Sequence, residues 1–437
     1  MEGQEILSPG KKIRKIRKSF KINQEDITGG EITRNLISII ENDKANLTSK
    51  VAIILSENIN RVCKEKGIDF SVTSEYLLED VESQAKKIAD KYILDLKNDF
   101  LSLSKLNKIS IDIEKFLMSY PIYDKKAEIY CLIGDLYFKF NNFYKANNFY
   151  LKAYENILQE NNLRELINVL YKLSVSSFSN HNYEDVLTYS SLALVNIDIL
   201  NDDILYQFYI NSIKSCVYLD NLDDALNKIS FIDDKLSPYF AKNPEKKILL
   251  LKLKAQCLKK KRFFNDTLRI EKKILASLRK DCIEDKLLAI NSMLEIYVFT
   301  KDSKNVLNSL KLNESILKEY CTMDTTIRSA RIFSSFAEFY WFIDDLESAI
   351  KLFDLSISAC RNNVDNDEII SILSKYLDFL ISNNCYDKID FFKTEILTLI
   401  SINKLTKVNE LIFKLLNYYI KTKDSDSLSG LLSFLTE

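Results

Sequence analysis

From Ala127 onward the amino-acid sequence repeats itself about every 40 residues, and this period limits the possible folds more than any other feature. Only 7 glycines and 4 prolines occur in 437 residues, so helix breakers are rare and long helices are expected. Such a period is typical of helical pairs that bury their apolar faces by stacking on neighbouring pairs. One position marks each period, occupied in turn by Ala146, Val186, Ala225, Thr267, Val306, Ala349, Ile389 and Leu428.

The clearest unit, residues 127–158, matches the tetratricopeptide repeat pattern. Small residues such as Gly134 and Ala146 let the two helices of the pair approach closely, and bulky ones fill the space between pairs. The residues at positions 4, 7, 8, 11, 20, 24 and 27 of the pattern are Tyr130, Ile133, Gly134, Tyr137, Ala146, Tyr150 and Ala153. The pattern predicts an all-α chain whose residues 127–437 form a right-handed helical solenoid of about eight repeats.

The first helix of each pair is expected to line an inner face suited to an extended peptide. Amide side chains on that face could pair with a peptide backbone through both donor and acceptor atoms. For any single residue the alternative is an ordinary solvated helix position. Trp341, the only tryptophan, falls on the same face by its repeat position, but a tryptophan is more often part of a core. The predicted peptide-binding residues are Asn168, Tyr171, Gln207, Lys214, Gln256, Asn291, Glu295, Arg331 and Glu338, with Lys252 and Asn417 at equivalent repeat positions.

Near the N-terminus, residues 24–41 have the spacing of a helix-turn-helix. A short helix over 24–28 is followed by a glycine turn over 29–30 and by a second helix that opens at Thr33. At 100° per residue, one arc of the second helix is expected to pack inward and the other to stay free for a ligand. The inward arc comprises Thr33, Leu36, Ile37 and Ile40, and the outward arc comprises Arg34, Asn35, Ser38, Ile39 and Asn42.

The helix predicted upstream, over 10–20, is basic with a narrow apolar stripe. Its spacing predicts exposed side chains for Lys11, Lys12, Arg14, Lys15 and Lys18. Residues 1–66 carry 13 Lys and Arg against 9 Asp and Glu, whereas the whole chain has a net charge of −1. A basic module at one end suggests that nucleic acid is met there, although a solvated basic helix face is the alternative.

Two further features complete this module. Arg17 lies beside the apolar stripe and Glu41 lies at the edge of the buried arc, so the two could close an ion pair across the core. Thr48 or Ser49 can cap a further helix that runs to about Lys66 and stops at Gly67.

These residues resemble the Cro/repressor-type, or XRE-like, DNA-binding domain over roughly residues 8–70. The resemblance rests on Gly10, Ile13, Arg14 and Arg17, on residues 23–27 and on residues 37–42. It implies that Gln24 caps its helix against a phosphate, that Arg17 and Glu41 form a structural pair, and that the second helix reads bases. The turn is about one residue shorter than the usual pattern, so the base-reading register is open by one position. The predicted DNA-binding residues are Gln24, Thr33, Arg34, Asn35, Ser38 and Lys44.

The residue types at the start of this helix suit base recognition. An arginine can donate two bonds to guanine, and an asparagine can pair with adenine in the same way, each discriminating by about 1–3 kcal/mol. Lysines such as Lys44 would supply attraction to phosphates that does not depend on sequence.

Residues 71–126 are expected to connect the two parts. Ser74 can cap a helix that continues to about Leu103, and a second helix near 111–118 ends before Pro121. This connector either holds two protomers together or packs on its own repeats. The predicted domains are therefore a DNA-binding domain over 1–70, a helical linker over 71–126 and a repeat domain over 127–437.

Other function classes find little support. The eight cysteines never occur as C-x-x-C or beside a histidine, which argues against a zinc site and a disulfide scaffold and favours a reducing cytoplasm. No apolar run approaches the length of a membrane span. His181 is the sole histidine and falls in a loop, and no glycine-rich phosphate loop is present. The sequence predicts a non-enzyme without metal or cofactor.

A repressor-type helix-turn-helix followed by long tetratricopeptide-like repeats resembles the RRNPP family of peptide-sensing regulators, most closely its clostridial members. The resemblance implies a cytoplasmic homodimer that binds double-stranded DNA and a signalling peptide in quorum sensing, for example over sporulation genes. Two alternatives stay open: a repeat scaffold that sequesters a regulatory protein, and an orphan DNA-binding regulator without a ligand. The operator, the sign of regulation and the peptide do not follow from the sequence.

Overall fold

The computed structural model describes residues 5–97, 102–159, 162–361 and 365–436, without the side chain of Tyr386. Every regular element in these ranges is a helix. Within them, no helix combines the length and apolar character that crossing a bilayer requires. The chain divides into two compact units, Met1–Asn221 and Leu222–Glu437, which we call unit 1 and unit 2. This division does not coincide with the predicted domain boundaries after residues 70 and 126 and does not test them, so those boundaries stay predictions.

The N-terminal helices of unit 1 enclose one small apolar core. Ile13, Ile37, Leu55, Ile59 and Leu77 are fully buried in it. Threonine caps give α3 and α4 definite starts, because each threonine hydroxyl accepts a hydrogen bond from a backbone N–H of the first turn. The elements are α1 (Pro9–Ser19), a 3-10 turn (Glu25–Ile27), α2 (Arg34–Glu41), α3 (Ser49–Glu65) and α4 (Ser74–Leu78).

The connector begins differently from the prediction. The single helix expected from Ser74 to about Leu103 is wrong: α4 ends at Leu78, and α5 (Val81–Lys97) begins after a break. Glu79 adopts an extended backbone, and the Asp80 carboxylate accepts the Ser83 N–H at 2.6 Å, so Asp80 caps a new helix. The helix predicted near 111–118 is longer, α6 (Leu103–Met118). Helices α5 and α6 share an apolar core with the first repeat.

In the described part of the chain, the next helices follow one another along the sequence as eight consecutive pairs, of which the third spans the boundary between unit 1 and unit 2. Most first helices are 17 residues long, which lengthens the period beyond that of a standard repeat. The pairs are α7 (Tyr123–Lys139) with α8 (Phe143–Ile157), α9 (Leu163–Ser179) with α10 (Tyr183–Leu194), α11 (Asp202–Tyr218) with α12 (Leu222–Lys235), α14 (Pro244–Lys260) with α15 (Phe264–Ser277), α16 (Ile283–Phe299) with α17 (Ser303–Leu312), α19 (Ser329–Phe342) with α20 (Leu346–Cys360), α21 (Asn366–Ser382) with α22 (Tyr386–Ser401), and α23 (Glu410–Thr422) with α24 (Ser425–Thr436).

Two short helices account for the longest periods. Helix α13 (Ser237–Lys242) lies between Ala225 and Thr267, and α18 (Glu314–Cys321) lies between Val306 and Ala349. A 3-10 turn, Ile197–Ile199, lies between the second and third pairs. Each marker residue of the sequence period is the fourth residue of the second helix in its pair. This confirms a helical repeat architecture.

The turn inside each pair uses a residue with left-handed backbone. Its N–H and that of the next residue bond back to the end of the first helix, as Lys301 N to Val298 O at 3.0 Å and Asp302 N to Tyr297 O at 2.8 Å show. None of these residues is glycine, although positive φ costs L-residues free energy. They are Asn141, His181, Asp220, Arg262, Lys301, Asp344, Asn384 and Lys423.

We expect Lys301→Gly to stabilise unit 2 by about 0.5–1 kcal/mol. Glycine relieves the left-handed strain at φ 56°, which outweighs the added freedom of the unfolded chain. The midpoint of urea unfolding measures the change. Lys351→Gly, within α20, is the matched control and should cost about 1 kcal/mol. A loss of stability with Lys301→Gly would contradict this account of the turn.

Candidate functional site

The start of α2 presents the side chains predicted to read bases. Arg34 and Asn35 are its first two residues and both are exposed, whereas Ser38 is half-buried. Thr33 was predicted to pack inward, and this is wrong: it is exposed and its hydroxyl accepts the Leu36 N–H at 3.2 Å. A capping residue has non-helical backbone, so helical spacing does not apply to it.

Arg34 is held only loosely. Its guanidinium forms an ion pair with Glu25 at 3.0 Å, and both side chains are mostly exposed. Such surface pairs contribute about 0–1 kcal/mol, so DNA could replace Glu25 at small cost. Lys44 follows α2 and is exposed, and its backbone N–H bonds to Ile39 O at 3.0 Å.

An ion pair beneath α2 fixes the angle between α1 and α2. Arg17 Nε and Nη2 donate to the two carboxylate oxygens of Glu41 at 2.7 and 2.9 Å, and Arg17 Nη1 donates to Ile22 O. Glu41 is 3% exposed. Burial raises the pKa of Glu41, but hydrogen bonds from Arg17 and Gln24 outweigh it, so the pKa lies below its usual value.

Gln24 belongs to the same network. Its Nε2 donates to Glu41 Oε2 at 2.9 Å, and its side chain does not cap the following 3-10 turn. The contact between Gln24 and a phosphate that the resemblance implies stays a prediction. Gln24 is half-buried.

The basic face of α1 is smaller than predicted. Lys11, Arg14, Lys15 and Lys18 are exposed, as the spacing predicts. Lys12 was predicted to be exposed, and this is wrong, because it is only 2% exposed.

Lys12 ties α1 to the end of α4. Its Nζ donates to the backbone oxygens of Tyr76 at 2.7 Å and Glu79 at 2.9 Å, and it pairs with the Glu79 carboxylate at 3.4 Å. Burial lowers the pKa of Lys12, although the hydrogen bond and charge of Glu79 oppose the shift. A buried ammonium with these partners fixes α1 against the connector.

In unit 1 the predicted peptide-binding residues have separate environments. Asn168 lines a cavity of about 580 Å³ between α7 and α9. Tyr171 packs edge to face on Phe208, and Gln207 is half-buried. The ammonium of Lys214 lies 6.0 Å from the centre of the Phe178 ring.

In unit 2, three adjoining cavities, which we call the unit-2 groove, are lined by Gln256, Asn291, Glu295, Arg331 and Glu338. Lys252 lines one of them, whereas Asn417 is exposed and lines none of the three. The first, about 370 Å³, is lined by Gln256, Asn291, Glu295 and Arg331. The second, about 440 Å³, shares Glu295 and Arg331 with it and adds Glu338. The third, about 560 Å³, shares Glu295 and Glu338 and is mainly apolar, with walls from Val298, Phe299, Trp341 and Phe342. The structure thus brings these residues together.

Most charges in the unit-2 groove are paired between successive first helices. Lys252 pairs with Asp285 at 2.6 Å, Lys259 pairs with Glu295, and Lys375 pairs with Glu338 at 3.0 Å. Arg331 has no ion-pair partner among the described residues, and it is exposed. The groove therefore offers one arginine for an anionic group of a ligand.

Sequence reasoning missed two buried polar residues in this groove. Glu271, on α15, lines the first cavity and is 6% exposed, and Ser334, on α19, lines the second and is 2% exposed. A signal for Glu271 exists, because it is the eighth residue of its helix, where α8 and α20 have Tyr150 and Phe353. An acid at a core position of the repeat marks a departure from the pattern.

In the described ranges, no three His, Cys, Asp or Glu residues are grouped so that they could hold a metal ion. His181 occupies the left-handed turn position of the second pair, and its Nδ1 lies 3.0 Å from Tyr183 Oη. Histidine tolerates this backbone better than most residues, which is a structural reason for its position.

Solved structures of low sequence identity resemble the chain. No family model matches the chain, and no curated protein matches it. Among solved structures, the apo form of RapI matches with 12% identity and a TM-score of 0.47, over 90% of this chain and 98% of that one. A Rap protein complexed with competence and sporulation factor matches with 14% identity and a TM-score of 0.34, over 90% and 98%. Bacillus thuringiensis PlcR, in complex with the peptide PapR7 and DNA, matches with 13% identity and a TM-score of 0.26, over 71% of this chain and 98% of that one.

Proposed function

We propose that the chain is a sequence-specific DNA-binding transcriptional regulator, acting as a cytoplasmic homodimer, whose repeats sense a signalling peptide. The observation that carries the DNA-binding part is the exposed start of α2. Arg34 and Asn35 stand free of the core there, while Ile37 and Ile40 of the same helix are buried. A helix anchored on one face can present the other to the major groove.

The surroundings of α2 support the same proposal. The exposed Lys11, Arg14, Lys15 and Lys18 of α1, with Lys44 after α2, could contact phosphates. The buried pair of Arg17 and Glu41 holds α2 at a fixed angle to α1. Fixed geometry matters because base contacts require the reading helix to keep one register.

The unit-2 groove supports the peptide-sensing part. Its polar cavities contain Asn291 and Gln256, whose amides can bond a peptide backbone. Its apolar cavity, around Trp341, could hold a large side chain. Peptide binding could then shift the dimer between arrangements that match or mismatch two DNA half-sites, by no more than its differential affinity for them.

We expect Arg34→Ala and Asn35→Ala each to weaken specific DNA binding by about 1–3 kcal/mol, which is about 5- to 150-fold. Genomic fragments recovered by the wild-type protein at near-physiological salt would first define the site. Fluorescence anisotropy on that site then measures both variants. Arg269→Ala, which removes an exposed arginine from unit 2, is the charge-matched control and should bind as the wild type does.

Two outcomes would contradict the proposal. Unchanged affinity of both α2 variants would mean that this helix does not read the bases. Recovery of only featureless, salt-sensitive fragments would remove sequence-specific binding altogether and favour the scaffold alternative.

A further inference from the structure

Glu271 is a buried acid at a position where four of the other seven repeats have a buried apolar residue, whereas α10 has Ser190 and α22 has Lys393 there. The equivalent eighth residues of α8, α12, α17 and α20 are Tyr150, Ile229, Leu310 and Phe353, all buried. Burying a carboxylate costs free energy unless charge and hydrogen bonds offset the loss of water. Its presence in unit 2 therefore calls for a partner.

The described residues give Glu271 one hydrogen bond and two more distant positive charges. Glu271 interacts with Ser292 through a hydrogen bond, and Lys252 and Lys259 favour its ionised form from a distance. Neither lysine is within ion-pair distance of it, since Lys252 pairs with Asp285 and Lys259 with Glu295. Burial raises the pKa of Glu271 above its usual value. Among the described residues, Glu271 therefore has no ion-pair partner.

Two more acceptors nearby lack donors. Asn291 Oδ1 and Ser334 Oγ are buried and have no hydrogen-bond partner among the described residues. The Asn291 amide nitrogen donates to Glu295 Oε1 at 2.8 Å, which fixes the direction of its oxygen. Asn291 and Glu271 line the first cavity of the unit-2 groove, and Ser334 lines the second. Buried acceptors without donors are uncommon in native proteins.

The apolar cavity adds a second recognition element. Trp341 and Phe342 form one wall, and Phe299, although apolar, is 59% exposed there. Glu295 lines this cavity as well as the two polar ones. A single short ligand could therefore reach the acceptors and the apolar wall together.

We propose that the unit-2 groove recognises a short peptide by a cationic group that binds against Glu271 and Asn291, with a large apolar side chain seated beside Trp341. This rests on the proposed peptide-sensing function and specifies its ligand. A lysine or arginine side chain, or the peptide's own N-terminal ammonium, would supply the cation and its donors. Binding would give Glu271 the ion-pair partner that it lacks among the described residues.

Affinity selection from a random-sequence library of short peptides tests this proposal. Wild type, Glu271→Gln and the exposed control Glu347→Gln are each used as bait, and bound peptides are sequenced by mass spectrometry. Wild type and control should enrich cationic residues and large apolar residues. Glu271→Gln should bind the selected peptides about 10- to 100-fold more weakly while still enriching the apolar residue. N-acetylation of the selected peptides removes the charge of the N-terminal ammonium. Weaker binding after acetylation would identify that ammonium as the cation, and unchanged binding would identify a lysine or arginine side chain.

The dependence on pH is a second readout. Protonation removes the charge of Glu271, so the affinity for a selected peptide should fall as the pH is lowered through the raised pKa of Glu271. The charged groups that line the same cavity are Lys252, Lys259, Glu295 and Arg331. Glu271→Gln keeps all of these groups and loses only the titrating carboxyl of Glu271. The pH profile of that variant should therefore be much flatter than that of the wild type.

The outcomes separate this inference from the function on which it rests. Peptides enriched by the wild type without a cationic preference, or bound equally by Glu271→Gln, would overturn the inference and leave peptide sensing intact. No peptide enriched by the wild type would overturn both. Should Glu271→Gln fail to fold, Asn291→Ala removes the neighbouring acceptor, and an unchanged cationic preference in that variant would also contradict the proposal.

Discussion

Replacing Gly10 with alanine is expected to destabilise the N-terminal helices by about 3 kcal/mol or more. A Cβ atom at Gly10 would lie 1.9 Å from Ile40 O and 2.9 Å from Asp43 Oδ1. The first contact is with backbone, which cannot rotate away, so α1 and α2 would have to separate. Asp43 is also fixed, because its carboxylate accepts the Ser8 hydroxyl at 2.6 Å and its backbone is left-handed.

Hydrogen exchange followed by mass spectrometry measures this effect locally. Peptides from α1, α2 and α3 should lose protection in Gly10→Ala, whereas peptides from unit 2 should keep theirs. Gly67→Ala is the matched control: Gly67 has φ +65°, but nothing lies within 4 Å of its Cβ position, so only the backbone strain of about 1–2 kcal/mol applies. Equal loss in both variants would refute the close approach of α1 and α2.

Gly10 shows what sequence reasoning could and could not supply. Its place in the motif was visible, but the physical reason was not, because Ile40 is 30 residues away and the contact depends on the crossing of two helices. The predicted exposure of Lys12 is wrong for the same reason. Helical spacing put it on the outer face, and only the carbonyl oxygens of Tyr76 and Glu79 explain its burial.

Local periodicity predicted the buried face of α2 well. Ile37 and Ile40 lie in the core and Arg34 and Asn35 outside it, as a 100° step requires. The same spacing wrongly placed Thr33 on the buried face, because Thr33 precedes the first helical residue, Arg34. The break between α4 and α5 was missed because Asp80 caps a new helix inside a continuous apolar stripe.

The repeat period predicted the unit-2 groove better than its chemistry. Positions counted from the sequence placed Asn291, Glu295 and Arg331 on one face, and the structure brings them to one cavity. The predicted peptide-binding residues all lie on first helices of the pairs, whereas Glu271 lies on a second helix, α15. A buried acid is recognised as unusual only when equivalent positions of the repeats are compared.

The second large effect is expected at the buried ion pair. Glu41→Ala should destabilise the N-terminal helices by about 3–5 kcal/mol, because it leaves the largely buried Arg17 without its partner and removes the acceptor of Gln24. Urea unfolding monitored by hydrogen exchange of α1 and α2 peptides measures the loss. Glu25→Ala breaks the exposed pair with Arg34 instead and should cost at most about 1 kcal/mol.

The pH dependence identifies the charge of Glu41 as the cause. Its folded pKa lies below that of the unfolded chain, so its contribution is present above the ordinary glutamate pKa of about 4.3 and disappears as the pH falls through the folded value. The stability difference between wild type and Glu41→Gln should therefore be largest near neutral pH and shrink in acid. A difference that stays constant across this range would mean that packing, and not the charge on Glu41, holds α2 in position. In that case Arg17→Met combined with Glu41→Leu would restore stability without restoring any ion pair.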